Sequence, residues 1–398
     1  MKVGLVGYGK MGRGIFSLLS DAPLEVAVFV RDPAKAEHDN RRLEKRLCRA
    51  AGSGVLSEAD LARRLASLRF TSSWEDLRDC GLVMETVSED YQTKIEVLRQ
   101  AERTVSPEAV LTSNSSSLSI TRLAESLREP ARFCGLHFFH PIRLTSVVEI
   151  ITSQHTAPGT VDFLRQVSRE IGRRPLVVKD VAGSCINVAL TCHSCEALYV
   201  LEQGLALPSQ IDALAAQFAR IGPCESLDVV GIPFFSEVLG RMLKAFPFDL
   251  VVPGLCGKLI RDGRFGKYVG QGIYLYRDDR PLDDGLEYYA DPDQTHSPGA
   301  VPADEAGLRE RLLFPIYFSV LYLAQMGLGE LSDFCLGIKD LIGMKIDPLE
   351  EMRKLGSHGL REVFGRLRRE LGPRYDCRPL EGVMARLDGD CGSWAAGE

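Results

Sequence analysis

The feature that most constrains the fold is a glycine-rich turn close to the amino terminus. Residues 2–6 read K-V-G-L-V, residues 7–12 read G-Y-G-K-M-G, and residues 15–19 continue as an apolar helical run. Glycines spaced in this way permit a tight turn and close approach of the backbone to a phosphate, and the N–H groups at the helix start favour an anion. The pattern predicts a strand–turn–helix unit that binds the pyrophosphate of a dinucleotide through Gly7, Gly9, Lys10, Met11 and Gly12.

Short apolar runs alternate with helical stretches through the first part of the chain. The runs predicted as strands are residues 2–6, 25–30, 82–85, 110–113, 133–136, 146–151 and 176–178. Most are continuously apolar, as expected for a parallel sheet that is covered on both faces. After residue 184 helical spacing takes over. We therefore predict a doubly wound α/β domain of the Rossmann type, followed by all-α C-terminal domains.

The helical part contains an internal echo. Residues 197–205 read A-L-Y-V-L-E-Q-G-L and residues 320–328 read V-L-Y-L-A-Q-M-G-L, an offset of 123 residues. Residues 237–242 and 362–367 read E-V-L-G-R-M and E-V-F-G-R-L, an offset of 125 residues. Two diverged copies of one helical module would explain both pairs, with chance similarity of amphipathic helices as the alternative. The predicted domains are residues 1–184, 185–298 and 299–398.

Composition limits the classes of partner. The formal net charge of −6 argues against general nucleic-acid binding, which needs a basic surface. No run of about 18 apolar residues suggests a membrane span, and no signal peptide is recognisable. The 11 cysteines include one C-x-x-C pair without a second, which favours free thiols in a reducing compartment over a structural zinc site. These features predict a cytoplasmic protein without a bound metal.

The end of the second predicted strand bears on the choice of dinucleotide. NAD enzymes usually place an acidic residue about 20 residues after the glycine motif, where it accepts a hydrogen bond from the ribose 2′-OH. Here the expected position is Val30, followed by Arg31 and Asp32. Arg31 is suited to a 2′-phosphate, whereas Asp32 is suited to the 2′-OH. NAD is the predicted cofactor, and NADP stays open because Val30 and Arg31 replace the usual acidic residue.

Five further segments resemble the 3-hydroxyacyl-CoA dehydrogenase family, in register over about 275 residues. Residues 85–89 (E-T-V-S-E, then Lys94) resemble E-x-V-x-E…K, and residues 113–121 (S-N-S-S-S-L-S-I-T) resemble S-N-T-S-S-L-x-I-T. Residues 135–141 (G-L-H-F-F-H-P) resemble G-L-H-F-F-N-P, with Glu149 twelve residues beyond the histidine. Residues 179–187 resemble K-D-x-x-G-F-x-x-N, and residues 270–274 resemble G-x-G-F-Y. Longer members of this family carry two helical domains. The internal echo indicates the same organisation for this chain.

The resemblance implies an L-3-hydroxyacyl-CoA dehydrogenase, and the residues suit that chemistry. Oxidation of a secondary alcohol needs a base for the hydroxyl proton, and imidazole, which titrates near neutral pH, makes His137 the candidate. A carboxylate orients such a ring and stabilises its cation, and the family places that role at Glu149. Ser116 and Asn187 match residues that hold the substrate oxygens. Glu89 and Lys94 match residues near the ribose of the nicotinamide, and Asn114 one close to the nicotinamide itself.

Two features concern the acyl-CoA substrate. His140 stands where the family usually has asparagine, and it is a candidate for contact with an unusual acyl group. Residues 31–69 hold ten Lys or Arg against six Asp or Glu, a local net charge of +4 in an acidic chain. Because the family docks the CoA nucleotide at this insert, basic residues at helical spacing are candidates for its phosphates. Those residues are Arg41, Arg42, Lys45, Arg46 and Arg49.

Two kinds of alternative stay open: a dehydrogenase that acts on another substrate, and a protein that is not an enzyme. The same groups would serve an aromatic or cyclic acyl-CoA, an acyl-carrier-protein thioester or a free hydroxy acid. A non-catalytic dinucleotide-binding protein is the alternative from another class. Shorter family members dimerise through their single helical module. A second module in one chain would take the partner's place, which predicts a monomer, with a homodimer as the alternative.

Overall fold

The computed structural model describes residues 1–181, 183–246, 249–291 and 304–389. The chain divides into two compact units, Met1–Asp180 and Val181–Glu398. The predicted domain boundary at residue 184 falls close to this division. The predicted boundary at residue 298 lies outside the described residues, so the three-domain organisation stays a prediction.

The first unit is an eight-stranded sheet flanked by helices. Its strands are β1 (Lys2–Val6), β2 (Glu25–Phe29), β3 (Leu68–Thr71), β4 (Leu82–Glu85), β5 (Val110–Ser113), β6 (Phe133–Phe138), β7 (Val147–Thr152) and β8 (Arg174–Lys179). Its helices are α1 (Lys10–Leu19), α2 (Pro33–Gly52), α3 (Glu58–Ser67), α4 (Tyr91–Thr104), α5 (Ile120–Ala124) and α6 (Pro158–Glu170). The strand order β3-β2-β1-β4-β5-β6-β7-β8 is that of a doubly wound α/β fold, which confirms the predicted class.

One pair of neighbouring strands departs from the predicted parallel sheet. β6 and β7 run antiparallel, with His137 opposite Glu149, whereas the other neighbouring pairs of this sheet are parallel. The connection between them, residues 139–146, is shorter than the dozen or more residues that a parallel crossover needs. The prediction is therefore confirmed for the other pairs and corrected at this one.

The edge strand β3 is missing from the predicted strands. It reads L-R-F-T and follows α3 directly, so no turn residue separates the strand from the helix. Leu68 and Phe70 are buried on either side of the exposed Arg69, as in a strand at the edge of a sheet. Four residues give too short an alternation to be recognised beside a helix. The other predicted strands are present, with ends that differ by at most two residues.

Helices cover the sheet, and its strands are accordingly apolar. The directions of the strands determine where the loops that follow them lie. Val3, Leu5, Val26 and Val28 of β1 and β2 are at most 1% exposed, and Phe16 of α1 belongs to the same core cluster. Since β1, β4, β5 and β6 are mutually parallel, their carboxyl ends lie along one edge of the sheet. The loops that follow these strands therefore gather in one place, where ligands of such sheets bind.

The second unit is helical, with one short hairpin that the sequence did not predict. Its helices are α7 (Cys185–Glu202), α8 (Pro208–Ala215), α9 (Pro223–Val230), α10 (Ile232–Ala245), α11 (Gly254–Arg261), α12 (Leu286–Tyr289), α13 (Glu305–Gln325), α14 (Leu331–Ile342), α15 (Pro348–Leu371) and α16 (Glu381–Ala385). The hairpin pairs β9 (Leu275–Arg277) with β10 (Arg280–Leu282). α7 and α13 pack together and are buried along most of their length. Among the described residues, no helix has both the length and the apolar character to cross a membrane.

The echoed segments end in the same way. α7 is followed by Gly204 at φ +65° and α13 by Gly327 at φ +64°, and each helix closes with a comparable pair of backbone hydrogen bonds. Gly231 separates α9 from α10 at φ +97°, and Gly356, 125 residues later, interrupts α15 at φ +65°. α15 thus corresponds to α9 and α10 joined. These parallels support the duplication of one helical module.

A buried histidine makes the stability of the second unit depend on pH. His193 of α7 is 1% exposed, and its Nδ1–H donates to the Leu312 carbonyl at 2.7 Å. Burial lowers the pKa of His193 from 6.5 to about 4. As the pH falls below 6.5, the unfolded chain takes up this proton before the folded one. The stability contributed by the neutral ring is therefore complete above pH 6.5 and is lost as the pH falls towards 4.

We expect His193 to cost the protein about 2 kcal/mol of unfolding free energy between pH 7.5 and pH 5. Urea unfolding at both pH values measures this loss, and His193→Gln should show a smaller difference because its amide does not titrate. His358→Gln is the matched control, since the His358 side chain is 84% exposed. Equal losses in the wild type and His193→Gln would contradict the prediction.

Candidate active site

The turn after β1 has the backbone geometry of a dinucleotide loop. Gly7 has φ +105°, and a Cβ there would lie 2.9 Å from the Thr86 carbonyl oxygen. A Cβ on Gly12 would lie 2.3 Å from the Gly7 carbonyl oxygen. The first and third glycines are therefore required by the packing of the turn itself.

Gly9, the middle glycine, is not required by the packing of the turn. Apart from Gly9 and its two chain neighbours, no heavy atom of the described residues lies within 4 Å of the place where a Cβ on Gly9 would be. Gly9 is also the residue before α1, and no side chain caps the helix there. The N–H groups of the first turn, which contains Lys10 and Met11, are therefore left without a side-chain cap, and such groups at a helix start favour an anion.

The residues after β2 leave the choice of dinucleotide open. Val30 is 6% exposed, so the usual acidic position is occupied by a buried apolar side chain. The Asp32 carboxylate caps α2 by accepting a hydrogen bond from the Ala34 N–H at 3.0 Å. Arg31 is exposed between them. The one carboxylate of this segment therefore has a structural role at the helix start.

His137 and Glu149 form a buried pair across β6 and β7. His137 Nδ1–H donates to Glu149 Oε2 at 2.8 Å, and the two side chains are 6% and 0% exposed. The ring of Phe139 contacts the imidazole edge-on, with 4.7 Å between the centroids. With Nδ1 engaged by the carboxylate, Nε2 is the nitrogen that can exchange a proton with a substrate.

Asn114 ties the histidine strand to the loop after β5. Its Oδ1 accepts a hydrogen bond from the Phe138 N–H at 2.9 Å, directly after His137. Ser116 lies two residues further along this loop, and its N–H donates to Glu89 Oε1 at 3.0 Å. The predicted residues Asn114, Ser116, Glu89 and His137 are thus brought together at the carboxyl edge of the sheet.

Lys94 and Glu89 belong to a buried charged cluster. Lys94 is 1% exposed, and its Nζ lies 2.8 Å from Glu85 Oε1 and 3.4 Å from Glu89 Oε2. Burial by itself would raise the pKa of Glu89, but the Lys94 ammonium and hydrogen bonds from Ser115 and Ser117 outweigh it and lower that pKa below its usual value. Glu85 received no role from the sequence. The sequence pattern that could have pointed to Glu85 is a glutamate at the end of the apolar strand L-V-M-E, nine residues before a lysine.

Asn187, the fourth residue of the predicted catalytic set, lies in the second unit. It is in the first turn of α7, where its N–H donates to the Oγ of the capping residue Ser184 at 3.4 Å. Ser116, His137 and Glu149 are in the first unit. The position of Asn187 in the active site therefore stays a prediction.

The basic helix α2 lines a cavity of about 880 Å³ in the first unit. Its wall includes Arg42, Lys45, Arg46 and Arg49, which the sequence singled out. Arg41, which has the same helical spacing, also lines the cavity, and Arg13, which directly follows the glycine motif, adds positive charge that was not assigned. The aromatic rings of Tyr8, Phe16 and Phe70 also line the cavity. This combination of cations and rings suits a phosphorylated nucleotide.

His140 is outside this cavity. It lies in the connection between β6 and β7, and burial, together with the nearby Lys10 ammonium, lowers its pKa below the usual value. Its contact with an acyl group stays a prediction. Within the described ranges, no group of three His, Cys, Asp or Glu side chains is arranged to hold a metal ion.

Family models match parts of both units of the chain. The family model "3-hydroxyacyl-CoA dehydrogenase, NAD binding domain" matches residues 2–181, and "3-hydroxyacyl-CoA dehydrogenase, C-terminal domain" matches residues 186–276. A 3-hydroxybutyryl-CoA dehydrogenase of Mycobacterium tuberculosis is 33% identical over 283 residues, covering 69% of this chain and 98% of that protein. A fatty acid oxidation complex subunit alpha of Shewanella loihica is 28% identical over 392 residues, covering 94% of this chain and 53% of that protein.

Solved structures show the same fold. The (S)-3-hydroxybutyryl-CoA dehydrogenase of Ralstonia eutropha has a TM-score of 0.64 at 31% identity, over 70% of this chain and 99% of that one. The 3-hydroxybutyryl-CoA dehydrogenase of Escherichia coli has a TM-score of 0.83 at 21% identity, over 97% of this chain and 98% of that one, which shows the fold alone. The family match and the identity over most of the chain lead to one conclusion: this chain belongs to the 3-hydroxyacyl-CoA dehydrogenase family, whose members are NAD-dependent oxidoreductases.

Proposed function

We propose that this chain catalyses the reversible oxidation of an L-3-hydroxyacyl-CoA to the 3-oxoacyl-CoA. The observation that carries the proposal is the buried His137–Glu149 pair, with 2.8 Å between Nδ1 and Oε2, in the same unit as an open dinucleotide turn. A base beside a hydride acceptor is what dehydrogenation of an alcohol requires. A non-catalytic binding protein would have no need of a buried imidazole oriented by a carboxylate.

In the proposed mechanism His137 is the general base. Bound NAD, held at the turn of Gly7, Gly9 and Gly12, would supply the acceptor for the hydride from C3 of the substrate. His137 Nε2 takes the proton of the C3 hydroxyl, so that the C–O bond becomes a carbonyl and the ring becomes an imidazolium. Glu149 holds the ring through Nδ1–H and stabilises its positive charge. In the reducing direction the imidazolium returns the proton to the carbonyl oxygen.

Ser116 and Asn187 are proposed to hold the substrate oxygens. The assignment rests on the family resemblance of residues 113–121 and 179–187. Hydrogen bonds to the C3 oxygen and the thioester carbonyl would orient the acyl group and polarise the bond that reacts. The acyl group is not specified by these residues, and His140 marks a departure that favours testing aromatic and cyclic acyl groups as well.

The basic cavity supports a CoA thioester as the substrate. Its wall brings at least four predicted cations, Arg42, Lys45, Arg46 and Arg49, to one surface. Charge-assisted hydrogen bonds to phosphate are strong, and a free hydroxy acid would not need them at this place. The CoA nucleotide is therefore the proposed occupant.

For the cofactor we propose NAD, with NADP as a weaker second. Asp32 caps α2 through Ala34, while Arg31 is exposed beside the position where the adenosine ribose would lie. An arginine at this place would accept a 2′-phosphate without excluding a 2′-OH.

We also propose that one chain is complete without a partner. α13 packs on α7 within the second unit, so the second helical module covers a face that a single module would present to another subunit. The expected state is a monomer, and a homodimer is the alternative.

The catalytic proposal is tested with acetoacetyl-CoA and NADH. We expect His137→Ala to lower kcat by about 10²–10⁴-fold, because the general acid is lost, and Glu149→Gln to lower it by a similar order. Both variants should still bind NADH, and a titration that follows NADH fluorescence measures this binding. His155→Ala is a matched control, since His155 also faces a glutamate, Glu125, at 4.0 Å but lies elsewhere. A His137→Ala protein with the wild-type rate would refute the proposal.

The role of the basic cavity is tested with substrates that differ only in the CoA nucleotide. Arg46→Ala should raise KM for acetoacetyl-CoA by about tenfold, the value of one charge-assisted contact, and leave KM for the N-acetylcysteamine thioester unchanged. Arg165→Ala provides the control, because Arg165 is exposed on α6. An equal change for both thioesters would show that the cavity does not hold the nucleotide.

The cofactor proposal is tested by parallel assays with NADH and NADPH. NADH should give the larger kcat/KM, with measurable turnover of NADPH. Arg31→Ala should reduce the NADPH reaction by about tenfold and leave the NADH reaction unchanged, because Arg31 would contact only the 2′-phosphate. Loss of both reactions in this variant would contradict the assignment.

A further inference from the structure

The loop that carries Ser116 is held by one carboxylate oxygen. Four donors of this loop converge on Glu89 Oε1: Ser115 Oγ at 2.6 Å, the Ser116 N–H at 3.0 Å, the Ser117 N–H at 2.9 Å and Ser117 Oγ at 3.1 Å. The loop lies between β5 and α5 and has no regular secondary structure of its own. The position of Ser116 is therefore set largely by a residue from another part of the chain.

Glu89 is in turn held by a buried lysine. Lys94 Nζ lies 3.4 Å from Glu89 Oε2, and it donates to both oxygens of Glu85 at 2.8 and 3.0 Å. Glu85 is fully buried and also accepts from Ser113 Oγ at 2.6 Å. Two carboxylates share one ammonium, so the second one needs further donors. The serine loop supplies them to Glu89.

The charge of Glu89 matters for this arrangement. A carboxylate oxygen accepts several hydrogen bonds, and bonds to a charged acceptor are roughly twice as strong as those to a neutral one. Glutamine has the same length, but it offers a neutral carbonyl, and its amino group would face Lys94 or the loop donors. A change from Glu to Gln would therefore loosen the loop without leaving a cavity.

The two oxygens of Glu89 face different surroundings. Oε1 accepts the hydrogen bonds of the loop, whereas Oε2 faces the ammonium of Lys94. The side chain is 34% exposed, so it is not sealed inside the unit. Part of the Glu89 side chain is therefore accessible at the site, while its Oε1 anchors the serine loop.

We propose that Glu89 is a positioning residue for Ser116: its carboxylate, anchored by Lys94, fixes the serine loop so that the Ser116 hydroxyl meets the oxygen of the substrate. The inference rests on the proposed function, because it deepens the part assigned to Ser116. It differs from a role limited to contact with the cofactor, which would leave the serine loop unaffected. Loss of the carboxylate should act on catalysis through Ser116.

A double-mutant cycle tests this coupling. We expect Glu89→Gln and Ser116→Ala each to lower kcat for acetoacetyl-CoA by about 10–100-fold, and the double variant to be no more than about threefold slower than the slower single variant. The coupling between the two losses in kcat decides the test, because Glu89 is also a candidate for contact with the ribose of the nicotinamide and KM for NADH would report that contact instead. A double variant whose loss equals the product of the two single losses would overturn the proposal.

Hydrogen exchange provides a readout that needs no activity. In Glu89→Gln the amides of residues 116 and 117 should exchange at least about tenfold faster than in the wild type, because their acceptor is weakened. Glu108→Gln is the matched control, since Glu108 also accepts a hydrogen bond from a serine, Ser106, but is exposed. Unchanged exchange in Glu89→Gln would overturn the proposal.

The two readouts separate this inference from the proposed function. If the wild-type protein does not reduce acetoacetyl-CoA, the proposed function fails in its simplest form, and the exchange rates alone decide whether Glu89 holds the loop. If Glu89→Gln folds poorly, Glu89→Asp replaces it. The shorter carboxylate keeps the charge next to Lys94 but cannot reach all four loop donors, so faster exchange is again expected.

Discussion

The antiparallel pairing of β6 with β7 is the constraint on which the site depends. Side chains directly opposite each other in such a pair have Cβ atoms about 4.5–5.5 Å apart, close enough for His137 and Glu149 to share a hydrogen bond. The short connection of residues 139–146 enforces this direction. A change in that connection would separate the two residues even if both side chains were retained. The orientation of the imidazole is therefore a property of the sheet as much as of the pair.

Buried carboxylates are held by charged or hydrogen-bonding partners in both units. In the first unit Glu149 accepts a hydrogen bond from His137, and the buried Glu85 shares Lys94 with the partly exposed Glu89. In the second unit the fully buried Glu196 of α7 pairs with Arg311 of α13, with 2.6 Å between Oε1 and Nη2. A buried charge without a partner would be costly. Each of these side chains is therefore confined to one arrangement, which suits both a preorganised site and a fixed helix pair.

Much of the fold follows from local pattern. Seven strands were predictable because continuous apolar runs alternate with helices, and the glycine turn identified the first crossover. β3 was missed because L-R-F-T is short and joins a helix without a turn. In the site, His137, Glu149 and Asn114 were named from motifs, and the structure pairs His137 with Glu149 and bonds Asn114 to the neighbouring Phe138 N–H. Glu85 and Arg13 were not assigned, because burial and proximity in space, not residue type, make them relevant.

The sequence by itself determined the order of elements, the dinucleotide turn and the chemical groups at hand, since glycine, apolar periodicity and side-chain type act locally. Only the tertiary structure decided which groups meet. It set β7 antiparallel to β6 and brought four donors of the serine loop to one oxygen of Glu89. These outcomes depend on strand direction and on competition for hydrogen bonds between segments distant in the chain. Such competition is settled only when the segments are packed together.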